Sequence, residues 1–225
     1  MYPGQTVPRG SEIVVSTRQR GAFAAVLGPD GSGKTTVATN IGEVCRSDGI
    51  GFGYVHWRPS LRQAPHPSVP RQEGHPPPKQ RRPDQLGISE KLLSIARLLR
   101  SVLVFNMYFV LRVAPMVRSG SVVIADRWVF NYLVQPDSVR YYASHALALL
   151  ACRRLTARPP FLFVLAAEPS VLFARKQELT IEDLQRELRQ WDQLKKSFNI
   201  QFLDATLAPD LLARRVLDQI LANHR

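Results

Sequence analysis

The stretch Gly28-Pro29-Asp30-Gly31-Ser32-Gly33-Lys34-Thr35 constrains this chain more than any other. It reads Gly, four free positions, Gly, Lys, then Ser or Thr, the spacing of a phosphate-cradling loop. With Gly at roughly 7% of residues, chance supplies this pattern in roughly one such chain in a hundred. The flanks strengthen it. Ala22-Phe23-Ala24-Ala25-Val26-Leu27 is a short apolar run suited to a buried strand, and Thr36 to Val44 carries apolar residues at helical spacing. Between such elements the glycines let successive N–H groups converge on phosphate oxygens at the positive end of the helix. Lys34 would reach the β- and γ-phosphates, and the Thr35 hydroxyl would hold Mg²⁺. The segment therefore predicts bound ATP and Mg²⁺, contacted by Gly28, Asp30, Gly31, Ser32, Gly33, Lys34, Thr35 and Thr36. The plainer alternative is a glycine-rich turn before an ordinary helix.

Downstream, strand and helix patterns alternate, which predicts an α/β fold: a five-stranded parallel sheet with helices on both faces. Gly51 to Trp57 reads as the second strand and Ser121 to Asp126 as a β-branched strand ending in a carboxylate. Phe161 to Ala166 and Ile200 to Asp204 complete the five. Helical patterns cover Ile88 to Val113, with Leu92, Ile95, Leu99, Val102 and Leu103 on one side, then Tyr141 to Leu155, Val171 to Lys196 and Pro209 to Leu221. Ligands are expected at the carboxyl ends of the strands. Residues 1–20 read as a flexible leader and 21–225 as a single domain. Between Pro59 and Pro83 lie eight prolines with several Arg and Lys, so 58–87 is expected to be a long Pro/Arg-rich loop over the acceptor side.

Composition narrows the partners. With 30 Lys and Arg against 18 Asp and Glu, the formal charge is +12, but the basic residues are spread along the chain without aromatic interleaving. Nucleic acid is not the expected main partner. Cys45 and Cys152 lack metal-ligand spacing and read as reduced, buried thiols of a cytoplasmic protein. The apolar run Ser101 to Leu111 is shorter than the roughly 20 residues that span a bilayer. It reads as a buried helix, with a peripheral membrane contact left open.

Ile124-Ala125-Asp126-Arg127-Trp128 separates the kinds of phosphate-loop protein. The Asn-Lys-x-Asp motif of GTPases is missing, and the strand-ending Asp is followed by Arg and an aromatic. Together with the loop, that Asp-Arg-aromatic triplet resembles the thymidylate kinase family of nucleoside monophosphate kinases, P-loop NTPases with a helical lid. A closer resemblance is to the thymidylate-kinase-like proteins associated with bacterial polysaccharide biosynthesis. It is carried by His56-Trp57-Arg58-Pro59, Asp126-Arg127-Trp128 through Pro136, Arg140-Tyr141, and Arg175-Lys176-Gln177-Glu178-Leu179-Thr180.

The resemblance implies an ATP- and Mg²⁺-dependent phosphotransferase. Lys34, Asp126, Arg127 and Arg175 would be its catalytic residues, and Thr35 and Asp126 would serve the metal. Asp126 would order the Mg²⁺-bound phosphates, and Arg127 would hold transferring or acceptor phosphate. Asp30 stands where many thymidylate kinases place an acid that contacts the acceptor sugar, and Arg175 or Lys176 stands at the lid. Arg58, after the second strand, can grip a phosphate with two parallel N–H contacts; Trp57 beside it reads as core. Asp137, Arg140 and Tyr141 are further acceptor candidates. Thymidylate kinases are often dimers, and by analogy Ser101 to Leu111 could serve a homodimer. Two departures stand out. No thymine-reading segment is found around Val104 to Phe109, and Asn131 and Gln135 occupy positions where the polysaccharide-associated relatives often carry acids. A sugar or glycan kinase and a non-catalytic nucleotide-binding scaffold therefore remain as alternatives.

Overall fold

Five apolar runs form one all-parallel sheet in the order β2-β3-β1-β4-β5. The strands are β1 (Ala22–Leu27), β2 (Phe52–Val55), β3 (Val122–Asp126), β4 (Phe161–Ala166) and β5 (Ile200–Asp204). This is a computed structural model, and it describes residues 21–55, 65–67 and 87–222. The leader, Trp57, Arg58 and nearly all of the Pro/Arg-rich segment lie outside the described residues. Alternation decides which way each strand faces. Ala22, Ala24 and Val26 of β1 face one layer while Phe23, Ala25 and Leu27 face the other, and all six are buried. A strand buried on both faces needs the near-continuous apolar run that the sequence carries.

Helices α1 (Lys34–Ser47) and α6 (Pro209–Ala222) cover one face through Val37, Ile41, Cys45, Leu212, Val216 and Ile220. The other face is covered by α2 (Ile88–Tyr108), α3 (His145–Leu150) and α5 (Ile181–Leu194), with the short α4 (Pro169–Arg175) between β4 and α5. Trp128 is the centre of that second core. It is 1% exposed, meets Phe23 and Phe105 edge-on at 5.2 and 4.6 Å between ring centroids, and donates its indole N–H to the Ala157 carbonyl at 2.8 Å.

The helices depart from expectation in three places. The second helix does not stop before Pro115; a π-turn at Phe109–Val113 carries it into a further helical segment, Ala114–Arg118. Pro115 is tolerated because it sits in the first turn of that new segment. The stretch expected as one helix from Val171 to Lys196 is two, α4 and α5. Thr180 starts the second by accepting from the Asp183 amide at 3.2 Å, a cap that ends any helix arriving from upstream. Of the α2 residues expected on one side, Leu92, Leu99 and Leu103 are exposed, Ile95 is half-buried and Val102 packs against the core, whereas the buried residues are Ser94, Leu98, Phe105 and Tyr108. Both rows of α2 are apolar, and spacing alone does not say which faces the sheet. Cys45 and Cys152 are buried free thiols, as expected.

Candidate functional site

The sheet leaves an opening over β1. Its connection, α1, leaves on one face, while the connections from its neighbours β3 and β4 leave on the other. In open α/β sheets such a switch point, at the carboxyl ends of the strands, is where ligands bind. Residues 28–33 fill this position. Gly28 has φ +131°, and a β-carbon there would lie 2.4 Å from the Leu165 carbonyl of β4. Gly31 has φ +82°, and its β-carbon would lie 2.7 Å from the Leu172 carbonyl of α4. Both require glycine, because positive φ and backbone approach exclude a side chain. No side chain caps the start of α1, and no acid occupies its first turn. Its leading amides are thus directed at the opening.

Lys34 is buried and donates to the Pro29 carbonyl at 2.7 Å, folding its ammonium back over the loop, 3.9 Å from Asp30. Burial, followed by the charge of Arg127, pulls its pKa down to about 8. Asp126 ends β3, paired in register with Val26 of β1, and accepts from the Tyr54 hydroxyl of β2 at 3.2 Å. The chain then turns sharply. Arg127 and Trp128 both have positive φ, +60° and +47°, in residues whose side chains disfavour it. With Trp128 anchored in the core, this turn sends Arg127 back across β1. Its guanidinium pairs with Asp30, donates to Gln135 Oε1 at 2.5 Å and lies 4.0 Å from Asp126. Burial opposes the Arg127 charge, but Asp30, Asp126 and Glu187 outweigh that and raise its pKa. Burial likewise pushes the Asp30 carboxyl up, yet Arg127, Lys34 and Lys176 hold it below the usual carboxylate range.

Four expected residues, Asp30, Lys34, Asp126 and Arg127, thus meet in one buried constellation. Thr35 stands beside it, partly exposed, and Thr36 is exposed. Arg175 does not join. Its Nη1 donates to the Ala205 carbonyl at 2.8 Å, just past β5, because it closes α4 on the side facing that strand. The basic side chain next to the loop is Lys176, whose β-carbon lies 3.4 Å from a β-carbon built at Gly31; its ammonium pairs with Glu178 at 3.0 Å. Arg140 also stands apart. It is exposed, with φ +52°, and its carbonyl accepts from Arg97 at 3.2 Å. Asp137 and Tyr141 line a cleft of about 250 Å³ with Tyr132, Pro136, Tyr142 and His145.

One residue of the constellation was not anticipated. Glu187 of α5 is 4% exposed, accepts from Gln135 Nε2 at 3.0 Å and from the Trp191 indole at 3.4 Å, and its pKa is raised by burial. A signal was available: Glu187 shares the helical row of Leu184, Trp191 and Leu194, the buried row of α5.

The residues present fit a nucleotide with magnesium. The Ser32 hydroxyl is buried, 1% exposed as a residue, and has no hydrogen-bond partner among the described residues, while its amide donates to the Pro29 carbonyl at 3.3 Å. No cluster of three or more His, Cys, Asp or Glu able to hold a metal occurs among the described residues. Magnesium in phosphate sites needs only one or two protein ligands and completes its shell with phosphate oxygens and water. Thr35 and Asp126 would be those ligands. A comparison with protein-family models gives no match, and a comparison with curated proteins gives none.

Proposed function

We propose that this chain has the P-loop NTPase fold and is an ATP- and Mg²⁺-dependent phosphotransferase of the nucleoside-monophosphate-kinase type. The observation that carries the reading is the convergence of the glycine loop, Lys34, Asp126 and Arg127 over the carboxyl end of β1. Phosphoryl transfer asks the protein for positioning and cations more than for covalent chemistry. The loop amides, Ser32 and Lys34 receive the donor phosphates, and magnesium, when bound, neutralises their charge. Arg127, its guanidinium held by Asp30 and Gln135, reaches a phosphate oxygen of the acceptor or of the group in transfer.

The state of Asp30 favours an anionic acceptor. A hydroxyl acceptor needs a general base, and a carboxylate held below its ordinary pKa by Arg127, Lys34 and Lys176 is a weak one. An acceptor phosphate brings its own attacking oxygen, and Asp30 then serves to orient Arg127 and the acceptor. A sugar or glycan kinase is the less supported alternative for this reason.

The test is ADP production from ATP and Mg²⁺ across dTMP, other nucleoside monophosphates, nucleosides and sugars, with Lys34→Ala in parallel. Stimulation by a monophosphate, lost in Lys34→Ala by about 10²–10³-fold, is the expected result. Stimulation by sugars alone moves the acceptor to a hydroxyl and overturns the role given to Asp30. Tight ATP binding with no stimulation by any acceptor makes the chain a nucleotide-binding scaffold.

A further inference from the structure

The constellation contains a buried carboxylate that the proposed reaction does not use directly. Glu187 accepts from two neutral donors, Gln135 Nε2 and Trp191 Nε1, and has no ion pair within 4 Å among the described residues. Burying a carboxylate in that way is costly unless its charge is answered nearby. Its electrostatic answer is Arg127 and Lys34, the two cations of the phosphate site. The contact that joins them is the side chain of Gln135, placed between Glu187 and Arg127.

An amide has two ends, and a carboxylate can only accept. Glu187 therefore obliges Gln135 to present its NH₂ group toward α5 and leaves the carbonyl oxygen facing Arg127, which donates to it at 2.5 Å. The guanidinium, a donor only, asks for the same orientation, so Glu187 and Arg127 fix the amide from opposite ends. With a neutral amide in place of Glu187, the hold from α5 depends on which end the new side chain offers, and an N–H turned toward the Gln135 NH₂ would loosen the second anchor of the Arg127 plane.

We propose that Glu187 is the positioning residue of this site, acting through Gln135 to fix the Arg127 guanidinium where a phosphate is received. The inference rests on the phosphotransferase reading for its purpose, but the positioning itself is testable without turnover. It also gives a physical meaning to the glutamine at 135. The negative charge of the site is present, carried by α5 and transmitted through an amide.

The experiment compares Glu187→Gln, Gln135→Glu and the double variant that swaps the two groups. Glu187→Gln removes the buried charge with the shape kept, Gln135→Glu sets two carboxylates against each other, and the swap restores one carboxylate and one amide. The first readout needs no ligand: the Arg127 guanidinium N–H signals by NMR, slowed in hydrogen exchange when both anchors hold. These should be slow in the parent, at least tenfold faster in Glu187→Gln, and slow again in the swap. The second is ADP release from ATP and Mg²⁺ with the acceptor that works best. There Glu187→Gln should lose about 10–100-fold in kcat, with KM for ATP within about threefold, and the swap should recover most of it. Melting temperatures of all three variants separate positioning from loss of fold. Arg127 signals unchanged by Glu187→Gln, or a swap no better than either single variant while folded, overturn the inference. A parent that turns over no acceptor removes the proposed function, and the guanidinium signals still decide the positioning.

Discussion

At the carboxyl end of β1 the buried side chains are charged: Lys34, Asp126 and Glu187 are 8%, 4% and 4% exposed. Along the outer side of α2 and of the π-turn that follows it, a row of exposed side chains is apolar, Ile88, Leu92, Leu99, Leu103 and Val110 being 54% to 80% exposed. The two regions invert the ordinary burial rule in opposite directions. In the first, every charge is answered by another, so the cluster is a coupled unit and removing one member leaves others buried without their counterpart. In the second, each side chain is independent of its neighbours and adds little to the fold. A region that keeps buried charges is constrained by its chemistry, whereas an exposed apolar row is not held in place by the core at all. The crevice should therefore respond sharply to single changes, and the outer row of α2 hardly at all.

The largest effect is expected at Gly28. Alanine there combines φ +131° with a contact of 2.4 Å to a backbone carbonyl that belongs to the sheet. The strand or the loop must move, and Gly28→Ala should lose roughly 3 kcal/mol or more in urea unfolding. Gly33→Ala sets a scale within the same loop. It has φ +85° but nothing within 4 Å of the added carbon, so only the backbone term, about 1–2 kcal/mol, should appear. Equal losses at the two positions would mean that the loop is not wedged between β4 and α4.

A second effect comes from pH. Lys34 titrates near 8 in the folded chain against an ordinary value of 10.5. Between those values the unfolded chain binds more protons than the folded one, so stability rises with pH across that window. Below pH 8 both states carry the proton, and the folded state bears the full cost of the buried ammonium. The gain from pH 8 to 10.5 amounts to about 3 kcal/mol. It should be read as the difference between the parent and Lys34→Met, which cancels the other groups titrating there. Pyrophosphate should move the window upward, since an anion beside Lys34 favours its charged form. A parent and Lys34→Met with parallel pH profiles would show that Lys34 is not held in the buried cluster.

These expectations also mark what the sequence could and could not convey. All five strands were legible, four of them to within one residue at either end, because short apolar runs between helical patterns mark them, most clearly in β1 and β3, which are buried along their whole length. Lys34 and Asp30 were legible because one local turn fixes them, and Arg127 because the strand end beside it is a local pattern too. Glu187 was not, since its meaning depends on α5 packing against a segment more than fifty residues upstream, on the same face of the sheet. The choice between Arg175 and Lys176 was equally closed to the sequence. It turns on the last residue of a seven-residue helix, where a rotation of one position exchanges the β5 side for the loop side. Which row of α2 faces the core was not legible, because its two rows are both apolar. A hydrophobic period reports which residues share a face, and packing decides which face is covered.

The smallest effect belongs to that outer row, and it tests the comparison from the other end. Leu99→Ser and Leu103→Ser, at positions 54% and 59% exposed, should each change unfolding stability by no more than about 0.5 kcal/mol. Leu98→Ser one position away, at 0% exposed, should cost about 2–5 kcal/mol, the scale of a large core truncation with a buried hydroxyl added. The contrast between adjacent residues isolates the face from the helix. Propensity, charge and sequence context are nearly the same for Leu98 and Leu99, and only the direction of the side chain differs. The basic residues around the row, Lys91, Arg97, Arg100, Arg112 and Arg118, with Glu90 the only acid in the helical stretch to Arg118, provide a second lever. If the row mediates homodimerisation, the double serine variant should shift sedimentation toward the monomer while the ADP release proposed for the β1 crevice stays at the parent rate. If it meets an anionic membrane surface, that variant should lose vesicle binding at unchanged sedimentation. Either result keeps the two regions independent. A double serine variant that unfolds alongside Leu98→Ser would instead place the outer row within the core and remove the contrast between them.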